Sequence, residues 1–197
     1  MYKVMNLISK TWRFFVRRIL NDPKRYVLLS DVLNSQTPRL VGTEITNICN
    51  ANCTFCGYGK GFQGKGADYR KKSKLDFQVL RHTAKLYNDA GGGVFSLTPI
   101  LGEVSAHPLW LEFVKELVRF PNITGVSCYT NGILLERFGY KEILSSGITS
   151  INISTALQDR EQYKRLYMKD KYEQVVKNIL GMLETNVSLG EPVNITL

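Results

Sequence analysis

Three cysteines crowd into eight residues of this 197-residue chain, in the run Cys49-Asn50-Ala51-Asn52-Cys53-Thr54-Phe55-Cys56. Thiolates are soft ligands, and a C-x3-C-x2-C spacing brings all three to one centre when the loop that carries them wraps it. Only Cys128 remains elsewhere. Four cysteines are too few for a disulfide scaffold in a chain of this length, so in a reducing compartment the triplet reads as metal ligation. An iron–sulfur cluster of four irons ordinarily takes four cysteines, and a structural zinc takes four Cys or His ligands. Three without an obvious fourth leave one coordination position open, and an open position is where reactivity resides. The competing reading is a structural zinc completed by Cys128, His82 or His107. Zinc modules usually carry a second closely spaced ligand pair, and none is present.

Other polar signals punctuate the chain. Gly102-Glu103, Thr130-Asn131-Gly132 and Ser154-Thr155 each follow or end a β-rich run, as Cys49 does. If those runs are parallel strands, all four signals fall on the C-terminal edge of the sheet, where α/β proteins keep their chemistry. Read alone, Thr130-Asn131-Gly132 is a turn, because Asn-Gly favours positive φ. Gly91-Gly92-Gly93 precedes a strand instead of opening a helix and lacks a P-loop lysine, so it also reads as a turn. His107 before Pro108, and Cys128 between apolar neighbours, read as structural residues.

Taken together these residues resemble the radical S-adenosylmethionine (radical SAM) superfamily, whose signature is C-x3-C-x-aromatic-C, with Phe55 at the aromatic position. The resemblance covers roughly residues 39 to 197. It implies a [4Fe-4S] cluster on Cys49, Cys53 and Cys56, its fourth iron chelated by the amino and carboxylate groups of S-adenosylmethionine, with Phe55 against the adenine. The family's second-strand motif, Gly-Gly-Glu-Pro, receives the methionyl amino group; here it reads Leu101-Gly102-Glu103-Val104, so Gly102 and Glu103 match while the first Gly and the Pro do not. Thr130 and Asn131 match the third-strand Thr-Asn-Gly. Ser154 matches the serine that ends the fourth strand near the ribose and carboxylate, though Thr155-Ala156 replaces the usual Leu-Asp. Arg160 and Arg165, in the helical region that follows, are candidates to pair with the carboxylate. In such enzymes the reduced cluster cleaves the cofactor to a 5′-deoxyadenosyl radical that abstracts a substrate hydrogen; the cofactors carry the hard chemistry and the protein orients it. The resemblance implies an electron donor such as flavodoxin or ferredoxin, and a peptide or small molecule as substrate. Peptide or protein modification follows by analogy with the subgroup that carries a second cluster-binding, SPASM-type C-terminal domain. The alternative is a non-catalytic metal-stabilised module, zinc or iron–sulfur, that binds RNA or another anionic partner.

The elements that must position these residues alternate. Strands are expected over Arg39 to Thr46, Gly93 to Ile100, Ile123 to Tyr129, Ser150 to Ser154 and Val193 to Leu197. Helices are expected over Leu75 to Asp89, Pro108 to Phe120, Leu134 to Ser145 and Tyr172 to Glu184. Repeated βα units imply a parallel sheet covered by helices, either a barrel or an open doubly wound sheet. The family resemblance selects a partial (β/α)6 barrel with five strands present, residues 39–197, expected to stop before its last strand. Ahead of it, residues 1–38 form an extension in which Val4 to Leu20 shows an amphipathic helical pattern ended near Pro23. Such a stripe packs on a domain or partner more often than it lies on a membrane, although peripheral membrane contact through it is the other use.

The composition, 44% hydrophobic and 22% charged, is that of an ordinary globular chain, with no run of eighteen apolar residues and no secretory leader pattern. A cytoplasmic location is the default expectation. The net charge of +9 sits in residues 1–74, which carry fourteen Lys and Arg against four acids. These cations are scattered and no nucleic-acid module organises them, so a solvated basic face is expected and a nucleic-acid partner is not.

Overall fold

The computed structural model describes residues 38–56, 71–98 and 100–197. They lie in one compact unit, Pro38–Leu197. The amphipathic helix expected over Val4 to Leu20 falls outside the described residues.

Five strands form one parallel sheet in chain order: β1 (Leu40–Gly42), β2 (Gly93–Ser96), β3 (Ile123–Thr130), β4 (Ser150–Ile153) and β5 (Asn194–Thr196). Parallel neighbours require crossovers. These are α1 (Phe77–Asp89), α2 (Trp110–Leu117), α3 (Tyr140–Leu144), and the pair α4 (Arg160–Tyr167) and α5 (Tyr172–Ser188). The register lines up Val41, Phe95 and Val126 across the first three strands, and Cys128, Ile151 and Ile195 across the last three. Because alternate strand residues point to opposite faces, Phe95, Val126, Cys128, Ile151 and Ile153 are buried in one core with Leu80 and Ala84 of α1, Phe113 and Val114 of α2, Ile143 of α3 and Val175 and Met182 of α5.

The opposite face is polar. Ser96, Thr98, Ser127, Tyr129, Asn152, Ser154 and Thr196 occupy the alternate positions. Ser96 Oγ and Thr98 Oγ1 lie 2.7 Å apart, and Asn152 Nδ2 donates to Thr196 Oγ1 at 2.8 Å. A doubly wound sheet would bury both faces under helices. With its apolar rows packed on one side only, the sheet is the partial (β/α) barrel. Among the described residues no helix is long and apolar enough to cross a membrane.

Element boundaries differ from the sequence expectation where local chemistry intervenes. The helix expected over Leu134 to Ser145 is two pieces, a 3-10 turn at Leu135–Phe138 and then α3, because Gly139 takes φ +78° and ends the right-handed winding. A Cβ at Gly139 would overlap the Glu142 carboxylate. α1 begins at Phe77 because the Asp76 side chain accepts from the Gln78 and Val79 amides as its N-cap. β1 is shorter than expected: beyond Gly42 the chain leaves the sheet, and Thr46 bridges antiparallel to Lys74.

Candidate active site

The cysteine segment leaves β1 through a pinned neck. Asn47 N donates to Ser73 O at 3.3 Å, Ser73 N returns to Asn47 Oδ1 at 2.8 Å, and Asn47 Nδ2 reaches Lys71 O at 3.0 Å. Thr46 Oγ1 adds a bond to Ser73 O at 3.0 Å. Two long-range backbone hydrogen bonds hold the cysteine run itself. Asn52 N donates to Tyr167 O at 3.2 Å and Thr54 N to Leu166 O at 2.8 Å. α4 ends there, with Met168 at φ 52°, so amides of the cysteine segment satisfy carbonyls that a helix C-terminus leaves open.

Cys49, Cys53 and Cys56 line one cavity of about 270 Å³. Phe55, Gly102, Glu103, Thr130, Asn131 and Ser154 line the same cavity, so the three cysteines and the residues matched to the family's strand-end motifs meet there. Gly102 makes the approach of the β2 and β1 exits possible, since a Cβ on it would overlap the Thr46 carbonyl oxygen. The Glu103 carboxylate is buried and accepts from Ser105 N (3.1 Å), Ser105 Oγ (2.7 Å), Thr130 Oγ1 (2.6 Å) and Asn131 N (2.7 Å). Burial pushes its pKa up, and these four donors pull it down. Burial, with Cys56 and Glu103 nearby, pushes the Cys49 thiol up to about 11. Burial first, and the neighbouring Cys49 and Cys56 second, push Cys53 up to about 12.

Three further lining residues carried no signal in the sequence: Thr98, Tyr129 and Tyr167. Tyr167 sits edge-on to Phe55 at 5.6 Å, stacks on Tyr163 at 4.6 Å and donates to Ser154 O at 3.0 Å. It thereby joins the cysteine segment, α4 and the end of β4, a role only the fold could reveal. Arg160 and Arg165 are not brought to the cavity. Arg160 forms a bidentate pair with Asp170, both bonds 2.9 Å, and Arg165 lines a separate cleft with Lys164 and Lys169.

The donor set discriminates between metals. A structural zinc takes four Cys or His ligands, and among the described residues no group of three or more His, Cys, Asp or Glu side chains is disposed to hold a single metal ion. Nor do the proposed fourth ligands help. Cys128 is buried inside β3, His82 is exposed on α1, and His107 has both ring nitrogens engaged, Nε2 with Leu75 O at 3.2 Å and Nδ1 with Leu109 N at 3.1 Å. Three thiols lining one cavity without a fourth ligand suit a cluster with one iron left open, and the polar residues beside them suit a ligand with ammonium, carboxylate and hydroxyl groups.

Residues 43–192 match the sequence profile of the radical SAM superfamily. The chain belongs to this superfamily. The cofactors of radical SAM proteins are a [4Fe-4S] cluster and S-adenosylmethionine, and the thiols and polar groups that line the cavity are of the kinds such a pair requires. Among its relatives is the GTP 3′,8-cyclase of Chlorobaculum tepidum, 31% identical over 151 residues, 76% of this chain and 42% of that protein. The chain thus spans less than half the length of that relative. Among solved structures, Streptococcus suis SuiB bound to S-adenosylmethionine superposes with a TM-score of 0.62 at 14% identity, over 76% of this chain and 32% of that one. The native anSMEcpe structure with bound AdoMet gives 0.58 at 20% identity, over 79% and 43%. These two share the radical SAM fold with the chain.

Proposed function

We propose that this cavity is the cofactor site of a radical SAM enzyme acting on a small polar molecule. The observation that carries the reading is the convergence of Cys49, Cys53, Cys56, Phe55, Gly102, Glu103, Thr130, Asn131 and Ser154 on one cavity at the C-terminal edge of the sheet. Cys49, Cys53 and Cys56 hold three irons of a [4Fe-4S] cluster, and the remaining lining residues receive S-adenosylmethionine. When bound, these cofactors supply a 5′-deoxyadenosyl radical by one-electron cleavage of the C5′–S bond, and the radical abstracts hydrogen from the substrate. The protein's part is positioning and exclusion of water. Phe55, half exposed at the rim and braced by Tyr167, covers the adenine; the ends of β2, β3 and β4 present Gly102, Thr130 and Ser154 to the methionyl and ribose portions. An electron donor of the flavodoxin or ferredoxin class supplies the electron, in a reducing compartment such as the cytoplasm.

Two observations favour a small polar substrate over the peptide expected by analogy. The sheet face leading to the cavity carries neutral hydroxyls and amides, including Ser96, Thr98, Ser127 and Asn152. The sequence relative cited above, the GTP 3′,8-cyclase of Chlorobaculum tepidum, is named for a reaction on a nucleotide. The test is anaerobic reconstitution followed by electron paramagnetic resonance of the reduced protein. We expect about four irons and four sulfides per chain, and a spectrum that changes on adding S-adenosylmethionine. Tight zinc with no uptake of iron would sink the reading.

A further inference from the structure

The family resemblance gives Glu103 the methionyl ammonium, and the structure gives its carboxylate a second set of partners within the protein. Oε1 accepts from Ser105 N, Ser105 Oγ and Thr130 Oγ1, and Oε2 accepts from Asn131 N, which leaves one acceptor position on Oε2, with the residue 3% exposed. Two of these donors come from the end of β3, so the carboxylate ties the exit of β2 to the exit of β3. The Glu103 amide also donates to Ile48 O at 2.9 Å, immediately before Cys49.

Asn131 transmits this constraint. Its backbone is held by Glu103 and its Oδ1 by Ile133 N at 3.0 Å, which turns Nδ2 onto Asn50 Oδ1 at 2.8 Å and toward Cys49 Sγ at 3.9 Å. From behind, Asn178 Nδ2 donates to the carbonyls of Gly132 and Ile133 at 2.7 and 3.1 Å. The turn is therefore clamped on both sides, with its one amide side chain aimed at the first cysteine.

We infer that Glu103 is a positioning residue: its carboxylate locks the Thr130-Asn131-Gly132 turn so that Asn131 holds Asn50 and Cys49 in place. The part of this inference that concerns S-adenosylmethionine rests on the function proposed above; the part that concerns Cys49 does not.

Glu103→Gln keeps the shape but sets an amide N–H against at least one backbone donor, Ser105 N or Asn131 N. In the reduced, metal-free chain, the rate of Cys49 alkylation by iodoacetamide, read by peptide mass spectrometry, is expected to rise about ten-fold, the factor that loss of a hydrogen bond to a charged group gives a local opening equilibrium. Asn131→Ala should raise it by a similar factor. The double variant should go no further, because the two residues act in series. In the reconstituted protein, affinity for S-adenosylmethionine by calorimetry should fall in each single variant. Unchanged Cys49 alkylation in Glu103→Gln would overturn the inference, whatever happens to that affinity. If Glu103→Gln does not fold, Thr130→Val removes one donor at nearly constant shape, and unchanged Cys49 alkylation there overturns the inference equally. A chain that takes up no iron would refute the proposed function while the alkylation comparison still decides the role of Glu103.

Discussion

The thiols of Cys49 and Cys53 are held above the usual thiol range, at about 11 and about 12, chiefly because burial disfavours the thiolate. Near neutral pH both are therefore protonated in the metal-free protein, and any thiophilic ion must expel those protons to bind. Raising the pH lowers the proton concentration against which the ion competes, so binding strengthens with pH until the thiols ionise unaided. We expect the affinity for cadmium, used as a spectroscopically simple thiophilic probe, to rise steeply between pH 6 and pH 8, with about one proton released by each of these two thiols. Calorimetry in buffers of different ionisation enthalpy, on the Cys56→Ser variant so that only these two thiols are counted, measures that number. Release of fewer than two protons would mean that one of the two is not a ligand. Cys128, in contrast, is buried within β3 beside Ile151 and away from the cavity, and Cys128→Ala should leave metal uptake unchanged.

At the scale of elements, the cavity exists because a helix end and a loop complete each other. The last turn of α4 offers the carbonyls of Leu166 and Tyr167, and the cysteine segment offers the amides of Thr54 and Asn52. Tyr167 adds a side-chain link to both Phe55 and the Ser154 carbonyl. Removing only the hydroxyl, in Tyr167→Phe, should cost about 1 kcal/mol of stability. Truncating the ring, in Tyr167→Ala, should cost about 3–5 kcal/mol and expose Cys53 and Cys56 to alkylation. Thermal or urea melts, with thiol counting on the same samples, separate the two. Equal losses in the two variants would show that the ring packing contributes nothing.

For the molecule as a whole, stability depends on α5 as well as on the apolar rows of the sheet. Asn178, fully buried on α5, donates to the Gly132 and Ile133 carbonyls and accepts from Tyr140 Oη at 2.9 Å, binding three successive parts of the fold. Asn178→Leu leaves two buried carbonyls and a hydroxyl without that partner, and each lost partner costs about 1–3 kcal/mol. We expect a fall of at least about 2 kcal/mol in unfolding free energy at an unchanged urea m-value. A neutral outcome would mean that water replaces the amide and that α5 is held by Val175, Ile179 and Met182 alone.

Much of the site was legible in the sequence because its chemistry is local. Cysteine spacing fixes how three thiols converge, an aromatic residue beside the third is read directly, and polar punctuation after each β-rich run marks the C-terminal edge of a parallel sheet. The same locality made the parallel βα alternation readable, while the choice of a barrel over a doubly wound sheet came from the family resemblance and not from the pattern. What depends on residues distant in the chain was not legible. Nothing near Tyr167 announces that it closes the cavity, because its partners Phe55 and Ser154 meet it only when α4 folds back over the cysteine segment. The positively charged Arg160 looked available for a carboxylate until Asp170, ten residues on, took both sides of its guanidinium. Glu103 is the sharpest instance: a carboxylate after a strand reads as an acceptor awaiting a ligand. Only the tertiary structure, by carrying Thr130 and Asn131 to within hydrogen-bonding distance, determined that it also ties the ends of β2 and β3 together.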